Sequence, residues 1–391
     1  MSSAAITPPI RVMIVDDSAI IRGLETRILE ADKEIEVVAS VSDGLRAVKA
    51  VEQDETIEVV VLDIEMPVMD GLTALPKLIA ARPDIKVIMS STLTLQNADI
   101  SLKALSMGAA DYIPKPSSMT GASGSQDFRH DLVEKVRALG VARRHHAGVP
   151  LISAAPKKSR IEFTKRERPK AEAPAVKPGP RPAVYKDKPI VLREKGKLMP
   201  SVLAIGSSTG GPQALFDLFG TLRDSIKIPI LITQHMPPTF TTILAERIGR
   251  LTGDNCAEGV DGEVVKEGRI YLAPGDFHMK VVVEGSVKKI KLEQSAPENF
   301  CRPAVDPMFR TLNEVYSGRV LGVILTGMGS DGFFGSKDVV ESGGTIVAQD
   351  DKTSVVWGMP GVVATGGLCT AVLPLKDIAP TVQRLVVGGE A

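Results

Sequence analysis

The first third of the chain alternates short apolar runs with longer stretches whose apolar residues recur at helical spacing. Five apolar runs predict β-strands, at residues 10–15, 37–41, 59–62, 87–90 and 110–113. Helical patterns separate and follow them, at residues 20–29, 43–53, 72–81, 97–107 and 127–144. Such alternation is typical of a parallel sheet with helices on both faces. We therefore expect a doubly wound α/β domain with five parallel strands.

A second α/β pattern occupies the C-terminal half. Buried-strand patterns at residues 202–205, 230–233, 320–325 and 345–348 are separated by helical patterns at residues 212–219, 240–249 and 334–342. Residues 263–284 are rich in β-forming residues, and a turn at Gly275-Asp276 divides them into the strand patterns 269–272 and 279–283. This half is predicted to be an α/β/α, Rossmann-like domain with a mostly parallel sheet and one β-hairpin flap.

The periodic pattern disappears between residues 148 and 199. Prolines recur there, and fourteen Lys and Arg residues outnumber five acidic ones. A basic, proline-rich stretch with few aromatic residues predicts a linker, with binding to an acidic surface as the alternative. We therefore assign residues 1–147 to a first domain, residues 148–199 to a linker, and residues 200–391 to a second domain.

Composition narrows the class of protein. The 391 residues carry 47 Lys and Arg and 47 Asp and Glu, so the whole-chain charge gives no reason to expect nucleic-acid binding. No apolar run approaches the roughly 20 residues of a membrane span, and the N-terminus lacks the pattern of a signal peptide. Three scattered cysteines fit a reducing compartment and no metal knuckle. We expect a cytoplasmic protein that is not inserted in a membrane.

Polar side chains gather where the strands of the first domain end. Asp16 and Asp17 follow the first strand, Asp63 ends the third, and Lys115 follows the fifth. Carboxylates brought to one sheet edge repel each other, and a hard cation such as Mg²⁺ with oxygen ligands offsets this repulsion. A carboxylate beside a metal ion and an ammonium group is suited to accept a phosphoryl group. Solvated loop acids are the alternative for any single aspartate.

Together with Met66-Pro67-Val68-Met69-Asp70-Gly71, these residues resemble a response-regulator receiver domain, which has a flavodoxin-like fold. The resemblance covers about residues 10–145. It implies that Asp63 accepts the phosphoryl group and that Asp16, Asp17 and Asp63 bind Mg²⁺, with the backbone of Glu65 as a further ligand. It also implies a switch made of three residues. These are the hydroxyl of Ser91, which Ser90 and Thr92 flank, the aromatic ring of Tyr112, and Lys115.

A glycine-rich turn, Gly206-Ser207-Ser208-Thr209-Gly210-Gly211, follows the first strand of the second domain and precedes a helix. It matches the G-x-S-x-G spacing, in which a sharp turn raises one hydroxyl above the end of a sheet. The free N–H groups and positive dipole end of the next helix would favour an oxyanion beside Ser208. The Walker and dinucleotide-loop patterns of a phosphate cradle are absent. A purely structural turn is the remaining alternative.

Two further strands end in side chains that would complete a nucleophilic site. His235 follows the strand at residues 230–233, and Asp331 follows the strand at residues 320–325. Because parallel strands present their carboxyl ends at one edge, both should lie near Ser208. A histidine can take the serine proton, and an aspartate can orient the imidazole. The order Ser, His, Asp does not fit an α/β-hydrolase.

These motifs resemble the signatures of the chemotaxis protein-glutamate methylesterase family (CheB). The segments are 204–211, Gln234-His235-Met236-Pro237 and Leu325-Thr326-Gly327-Met328-Gly329-Ser330-Asp331-Gly332. The resemblance implies Ser208 as nucleophile, His235 as base and Asp331 as orienting acid. It also implies that Thr209 and Met328 lie beside the reacting centre, with the Met328 backbone as an oxyanion donor.

The resemblance further implies substrate and partners. The substrate would be a glutamyl methyl ester on a methyl-accepting chemoreceptor, with methanol released and receptor glutamines also deamidated. A chemotaxis histidine kinase would be the phosphodonor, and the esterase would need no cofactor of its own. The unphosphorylated receiver would cover the cleft, and phosphorylation of Asp63 would release it on its linker. The alternatives are another acyl hydrolase, such as a dedicated deamidase, and a non-catalytic output domain.

Overall fold

The computed structural model describes residues 8–92, 94–115, 121–147, 189–222 and 225–389, apart from the side chains of residue 96 and residues 121–127. Most of the proposed linker, residues 148–188, lies outside the described residues. The N-terminal half forms a five-stranded parallel sheet in the order β2-β1-β3-β4-β5. Its strands are β1 (Ile10–Val15), β2 (Ile35–Val41), β3 (Val59–Asp63), β4 (Lys86–Ser91) and β5 (Asp111–Pro114). The predicted receiver-type fold is confirmed.

Five helices cover the two faces of this sheet: α1 (Ala19–Glu30), α2 (Gly44–Gln53), α3 (Gly71–Ala81), α4 (Leu95–Ser106) and α5 (Gly121–His146). Polar side chains start four of them, because Ser18, Asp43, Asp70 and Thr94 each accept a hydrogen bond from a backbone N–H of the first helical turn. Each of these caps lies at the carboxyl edge of the sheet. The local sequence therefore starts these helices where the phosphorylation-site residues collect.

The C-terminal half contains a seven-stranded parallel sheet in the order β14-β13-β12-β6-β7-β9-β8. The strands are β6 (Val202–Ser207), β7 (Ile230–Gln234), β8 (Cys256–Glu258), β9 (Ile270–Leu272), β12 (Val320–Ile324), β13 (Thr345–Gln349) and β14 (Ala371–Leu373). The helices are α6 (Gly211–Leu222), α7 (Phe240–Leu251), α8 (Val305–Val315), α9 (Phe333–Glu341), α10 (Met359–Thr365) and α11 (Leu375–Val386). Since β6 lies between β7 and β12, the three strands that carry the predicted triad are neighbours.

The predicted hairpin exists, but its strands differ from the expectation. The strand pattern at residues 269–272 becomes β9, which pairs in parallel with β7 in the main sheet. The hairpin instead joins β10 (His278–Glu284) to β11 (Val287–Glu293) in antiparallel register. Within β11, Lys289-Ile290-Lys291-Leu292-Glu293 alternates polar and apolar residues, as expected for a half-exposed strand, and this pattern was not used in the prediction.

Part of the proposed linker lies on the C-terminal domain. Within residues 189–199, Arg193 N donates a hydrogen bond to Cys369 O at 3.0 Å, and Gly196 N donates to Thr345 Oγ1 at 2.9 Å. Lys195 Nζ contacts the carbonyl oxygens of Gly388 and Gly389. No helix in the described part of the chain has both the length and the apolar character needed to cross a bilayer.

Candidate active site and phosphorylation site

Ser208 lies in the turn between β6 and α6, above the carboxyl end of the sheet. Its backbone N–H donates to Thr326 O at 3.0 Å, and its carbonyl accepts from Gln234 Nε2 at 3.0 Å. Gly210 follows with a φ of 77°, a left-handed conformation that favours glycine, and a Cβ there would lie 2.7 Å from Val355 Cβ. The neighbouring strand ends thus fix the turn, which leaves Ser208 half-buried.

His235 and Asp331 form a close pair at the same edge. The Nε2 atom of His235 lies 2.7 Å from Asp331 Oδ2. The carboxylate of Asp331 also accepts backbone N–H bonds from Val305 at 2.6 Å and Asp306 at 3.1 Å, at the N-terminus of α8, and from Gly332 at 2.9 Å. Burial alone would raise the pKa of Asp331, but the His235 contact and these donors lower it overall. Asp331 is therefore held as a fixed anion.

The second ring nitrogen of His235 faces a residue that the sequence analysis did not single out. Cys301 Sγ lies 3.4 Å from His235 Nδ1. Among the hydrogen bonds of the described residues, none joins the Ser208 hydroxyl to His235. Burial lowers the pKa of His235, but the Cys301 sulfur and the Asp331 carboxylate raise it more, to about 10. The structure thus pairs His235 with Asp331 and places Ser208 nearby without the serine–histidine hydrogen bond.

A second buried acid supports the pair. Asp306 is almost fully buried and accepts from Gly335 N at 2.7 Å. Asn299 Nδ2 donates to both Asp306 Oδ2, at 3.2 Å, and Asp331 Oδ1, at 3.0 Å. Burial and the neighbouring Asp331 charge raise the pKa of Asp306 to about 7. Neither residue was given a role from the sequence: Asn299 reaches the site on a turn outside the parallel strands, and Asp306 lies in the first turn of α8.

The phosphorylation-site residues meet at the edge of the N-terminal sheet. Carboxylate oxygens of Asp16, Asp17 and Asp63 lie within 4.8 Å of one another. Lys115 Nζ contacts Asp16 Oδ2 at 2.6 Å and Asp63 Oδ1 at 2.7 Å. Burial raises the pKa of Asp63 to about 6, against the lowering effect of Lys115. Three clustered carboxylates are the donor set that Mg²⁺ prefers, so these residues fit the ion. The Glu65 side chain is exposed and is not part of this group.

The two serines at the end of β4 point to opposite faces of the sheet. Ser90 pairs with Asp63 in the parallel register, and paired residues of adjacent strands share a face. Ser91 Oγ lies 3.1 Å from Ser101 Oγ of α4, and both side chains are buried. The structure thus places Ser90, one residue from the predicted Ser91, on the face of Asp63.

Comparisons with known proteins cover both halves. The CheB methylesterase family profile matches residues 203–382, and the response regulator receiver domain profile matches residues 12–121. The protein-glutamate methylesterase/protein-glutamine glutaminase 1 of Paramagnetospirillum magneticum is 54% identical over 385 residues, which cover 98% of both chains. This chain belongs to the CheB methylesterase family. A relative from Azospirillum brasilense, with the same name but no number, is also 54% identical, over 98% of this chain and 94% of its own.

Among solved structures, the CheB methylesterase catalytic domain of Thermotoga maritima shares 41% identity with this chain. The match covers 48% of this chain and 99% of that one, with a TM-score of 0.47. As a member of the CheB family, the protein is a response regulator that joins a receiver domain to a methylesterase domain.

In this CheB-family chain the receiver packs over the catalytic edge. Thr209 Oγ1, next to Ser208, donates to Asp111 Oδ2 of β5 at 2.7 Å. The Tyr112 ring stacks on Phe240 of α7 with centroids 4.2 Å apart and planes 9° apart. Met328 packs against the hydrophobic cluster that includes receiver residue Leu132. The predicted substrate-side residues Thr209 and Met328 and the predicted switch residue Tyr112 therefore all lie at the contact between the two domains.

Proposed function

We propose that this protein hydrolyses glutamyl methyl esters on chemoreceptors and deamidates receptor glutamines, with Ser208 as the nucleophile. The observation that carries the proposal is the His235–Asp331 pair, 2.7 Å apart, on the strands that flank the Ser208 turn. Both reactions begin with attack on an acyl carbon, so one site serves the ester and the amide. The relatives that share both domains are named for the same two activities.

The chemistry follows from the positions of these groups. With Nε2 bonded to Asp331, His235 has only Nδ1 available to take the Ser208 proton. Ser208 Oγ then bonds to the acyl carbon, and His235 returns the proton to the departing methanol or ammonia. Water adds to the acyl-enzyme with the same base, which regenerates Ser208 and leaves a glutamate. Asp331 stays ionised and stabilises the imidazolium.

The developing oxyanion needs donors beside Ser208. We assign this role to the Met328 backbone, and we assign substrate contact to Thr209. A Cβ at Gly327, directly before Met328, would lie 2.9 Å from Ser208 Cβ, so this loop runs close against the nucleophile. Oxyanion donors typically contribute about 10²- to 10³-fold in rate. The proposed hydrolysis itself uses no metal ion.

We assign phosphorylation to Asp63, with a chemotaxis histidine kinase as the donor. Asp16, Asp17 and Asp63 would hold Mg²⁺, together with the backbone of Glu65. The ion, when bound, would neutralise negative charge on the transferred phosphoryl group. Lys115 would stay beside that group as a second counter-charge. We assign the switch hydroxyl to Ser91, with Tyr112 as its aromatic partner, because the register of β4 with β5 puts both side chains on one face of the sheet. Ser90, which shares a face with Asp63, is the alternative.

We place the domain boundaries at residues 147/148 and 199/200, and we propose that the docked receiver limits access to Ser208. The Asp111 carboxylate of the receiver accepts a hydrogen bond from the Thr209 hydroxyl, and the Tyr112 ring packs on Phe240. Phosphorylation would loosen this contact while the linker keeps the receiver nearby. A fragment of residues 189–391 retains the linker residues that bond to the catalytic domain and should be constitutively active on receptors. A fragment no faster than the unphosphorylated full chain would refute occlusion.

The function has a direct chemical readout. Receptor membranes carrying methyl esters and glutamines should release both methanol and ammonia when the full chain is added with acetyl phosphate. Ammonia alone would indicate a dedicated deamidase, and an effect on receptors that survives Ser208→Ala would indicate a non-catalytic output domain. We place the protein in the cytoplasm, where the receptor signalling regions and the kinase would meet it.

A further inference from the structure

The second nitrogen of the catalytic histidine is occupied in this docked arrangement. Nε2 of His235 is hydrogen-bonded to Asp331, and the Cys301 sulfur lies 3.4 Å from Nδ1. The proposed mechanism requires Nδ1 to receive the proton of Ser208. A sulfur at that nitrogen therefore competes with the reaction that the site is built to perform.

Cys301 is carried by a tight turn, Glu298-Asn299-Phe300-Cys301, called the 298–301 turn below. Glu298 and Cys301 exchange two backbone hydrogen bonds, of 3.1 and 2.9 Å. Asn299 and Phe300 have φ values of 51° and 63°. Two consecutive left-handed residues define a type I′ turn, in which glycine is preferred at the second position. Phenylalanine is unfavourable there, so contacts outside the turn must help to hold it.

The 298–301 turn has one such contact with the receiver. The Phe300 ring is 69% exposed, and its centroid lies 5.1 Å from that of His130 on α5. On its other side, Asn299 Nδ2 donates to Asp331 Oδ1 at 3.0 Å. Three consecutive residues of one turn therefore contact the receiver, the orienting acid and the catalytic base.

We propose that Cys301 is a positioning residue through which receiver docking acts on His235. With the receiver docked, Phe300 rests against His130 and the turn holds the thiol on Nδ1. When the receiver leaves, the turn loses that support, Cys301 withdraws, and Nδ1 becomes available to Ser208. The inference rests on the proposed function, because it assigns Ser208 as the group that needs Nδ1.

The electrostatics of the pair agree with this arrangement. Burial lowers the pKa of His235, but its contacts with the Cys301 sulfur and the Asp331 carboxylate raise it more, and a protonated imidazole cannot act as a base. Withdrawal of the sulfur would remove one of the two contacts that hold a proton on the ring, and Asp331 would still orient it. The effect also differs from occlusion, because a blocked base slows even a small reagent that can pass beside the receiver.

Labelling of Ser208 by a small alkyl fluorophosphonate tests the inference in the full-length protein without a phosphodonor. In that reaction the Ser208 oxygen bonds to phosphorus, fluoride leaves, and His235 takes the proton. Cys301→Ala should raise the labelling rate by about 5- to 150-fold, the usual range of allosteric couplings. Cys301→Ser should label at close to the wild-type rate, because a hydroxyl can still form a hydrogen bond with Nδ1 of His235. Cys256→Ala, a cysteine on the edge strand β8, should label like the wild type.

A second pair of variants addresses the receiver contact. Phe300→Ala should also raise the resting labelling rate, whereas Phe334→Ala, which truncates an exposed phenylalanine on α9, should not. Thermal unfolding of each variant confirms that it is folded. If Cys301→Ala labels at the wild-type rate while acetyl phosphate accelerates wild-type labelling, the positioning role is wrong and the proposed function stands. If no protein labels at Ser208 with acetyl phosphate present, the proposed nucleophile is wrong and the inference fails with it.

Discussion

Replacing Asp111 with asparagine should raise the unstimulated rate on receptor substrates. Asp111 Oδ2 accepts the Thr209 hydroxyl at 2.7 Å in a buried position, directly beside the nucleophile. Its other oxygen, Oδ1, accepts the Tyr112 N–H at 2.8 Å. Asparagine can keep the second bond and the shape of the side chain. The substitution therefore weakens the contact with the catalytic domain and leaves β5 intact.

The size of the effect follows from the type of hydrogen bond lost. A bond to a charged group contributes about 1.5–3 kcal/mol and a neutral one about 0.5–1.5 kcal/mol. The substitution should therefore weaken docking by about 1–1.5 kcal/mol, or about 5- to 13-fold. If the docked state predominates and is inactive on receptors, the basal rate rises by the same factor as the undocked fraction.

The assay is methanol release from methylated receptor membranes by full-length protein without a phosphodonor. Asp111 and Asp131 each pair with Lys135 Nζ at 3.4 Å. Asp131→Asn is the matched control, because among the hydrogen bonds of the described residues only the Asp111 carboxylate reaches Thr209. The control should stay within about twofold of wild type, because it leaves the bond between Asp111 and Thr209 in place. An Asp111→Asn rate equal to that of the control would refute the idea that this bond holds the receiver in place.

Three further outcomes are expected. Ser208→Ala and His235→Ala should each lose about 10⁴-fold or more in esterase rate while remaining folded, as measured by methanol release and calorimetry. Burial and the neighbouring Asp16 raise the pKa of Glu25 to about 8; because the folded state then binds the proton more tightly, wild-type stability falls between about pH 4.5 and 8. In metal-free urea titrations, the free energy of unfolding of Glu25→Gln should therefore rise relative to that of wild type across this pH range, by roughly 4 kcal/mol at its upper end. Parallel curves of unfolding free energy against pH would contradict this. Ser91→Ala should weaken activation by acetyl phosphate more than Ser90→Ala if Ser91 carries the switch hydroxyl, and the reverse order would favour Ser90.

Residues at the ends of buried strands could be located from the sequence. Ser208, His235 and Asp331 follow three apolar runs, and a parallel sheet brings such ends to one edge whatever the loops do. The same reasoning predicted that Asp16, Asp63 and Lys115 lie close together, and in the structure Lys115 contacts both aspartates. This inference works for strongly apolar strands, because burial of such a strand in the sheet fixes where the residues at its end must lie.

Residues that reach the site by other routes could not be located. Cys301 and Asn299 arrive on a turn outside the sheet, and Asp111 arrives from the other domain. Sequence patterns carry no signal for which surfaces of two domains meet. The assignment of the switch hydroxyl to Ser91 stays a prediction, because a shift of one residue along the strand, to Ser90, reverses the face of the side chain.

In the proposed mechanism, Ser208 hydrolyses receptor methyl esters under the control of Asp63. The most direct measurement is methanol release from methylated receptor membranes by wild type, Ser208→Ala and Asp63→Asn, each with and without acetyl phosphate. Acetyl phosphate should accelerate only the wild type, Asp63→Asn should remain at the basal rate, and Ser208→Ala should release no methanol above background. Release by Ser208→Ala at more than about a tenth of the wild-type rate would contradict this mechanism, since loss of a catalytic nucleophile costs far more than that.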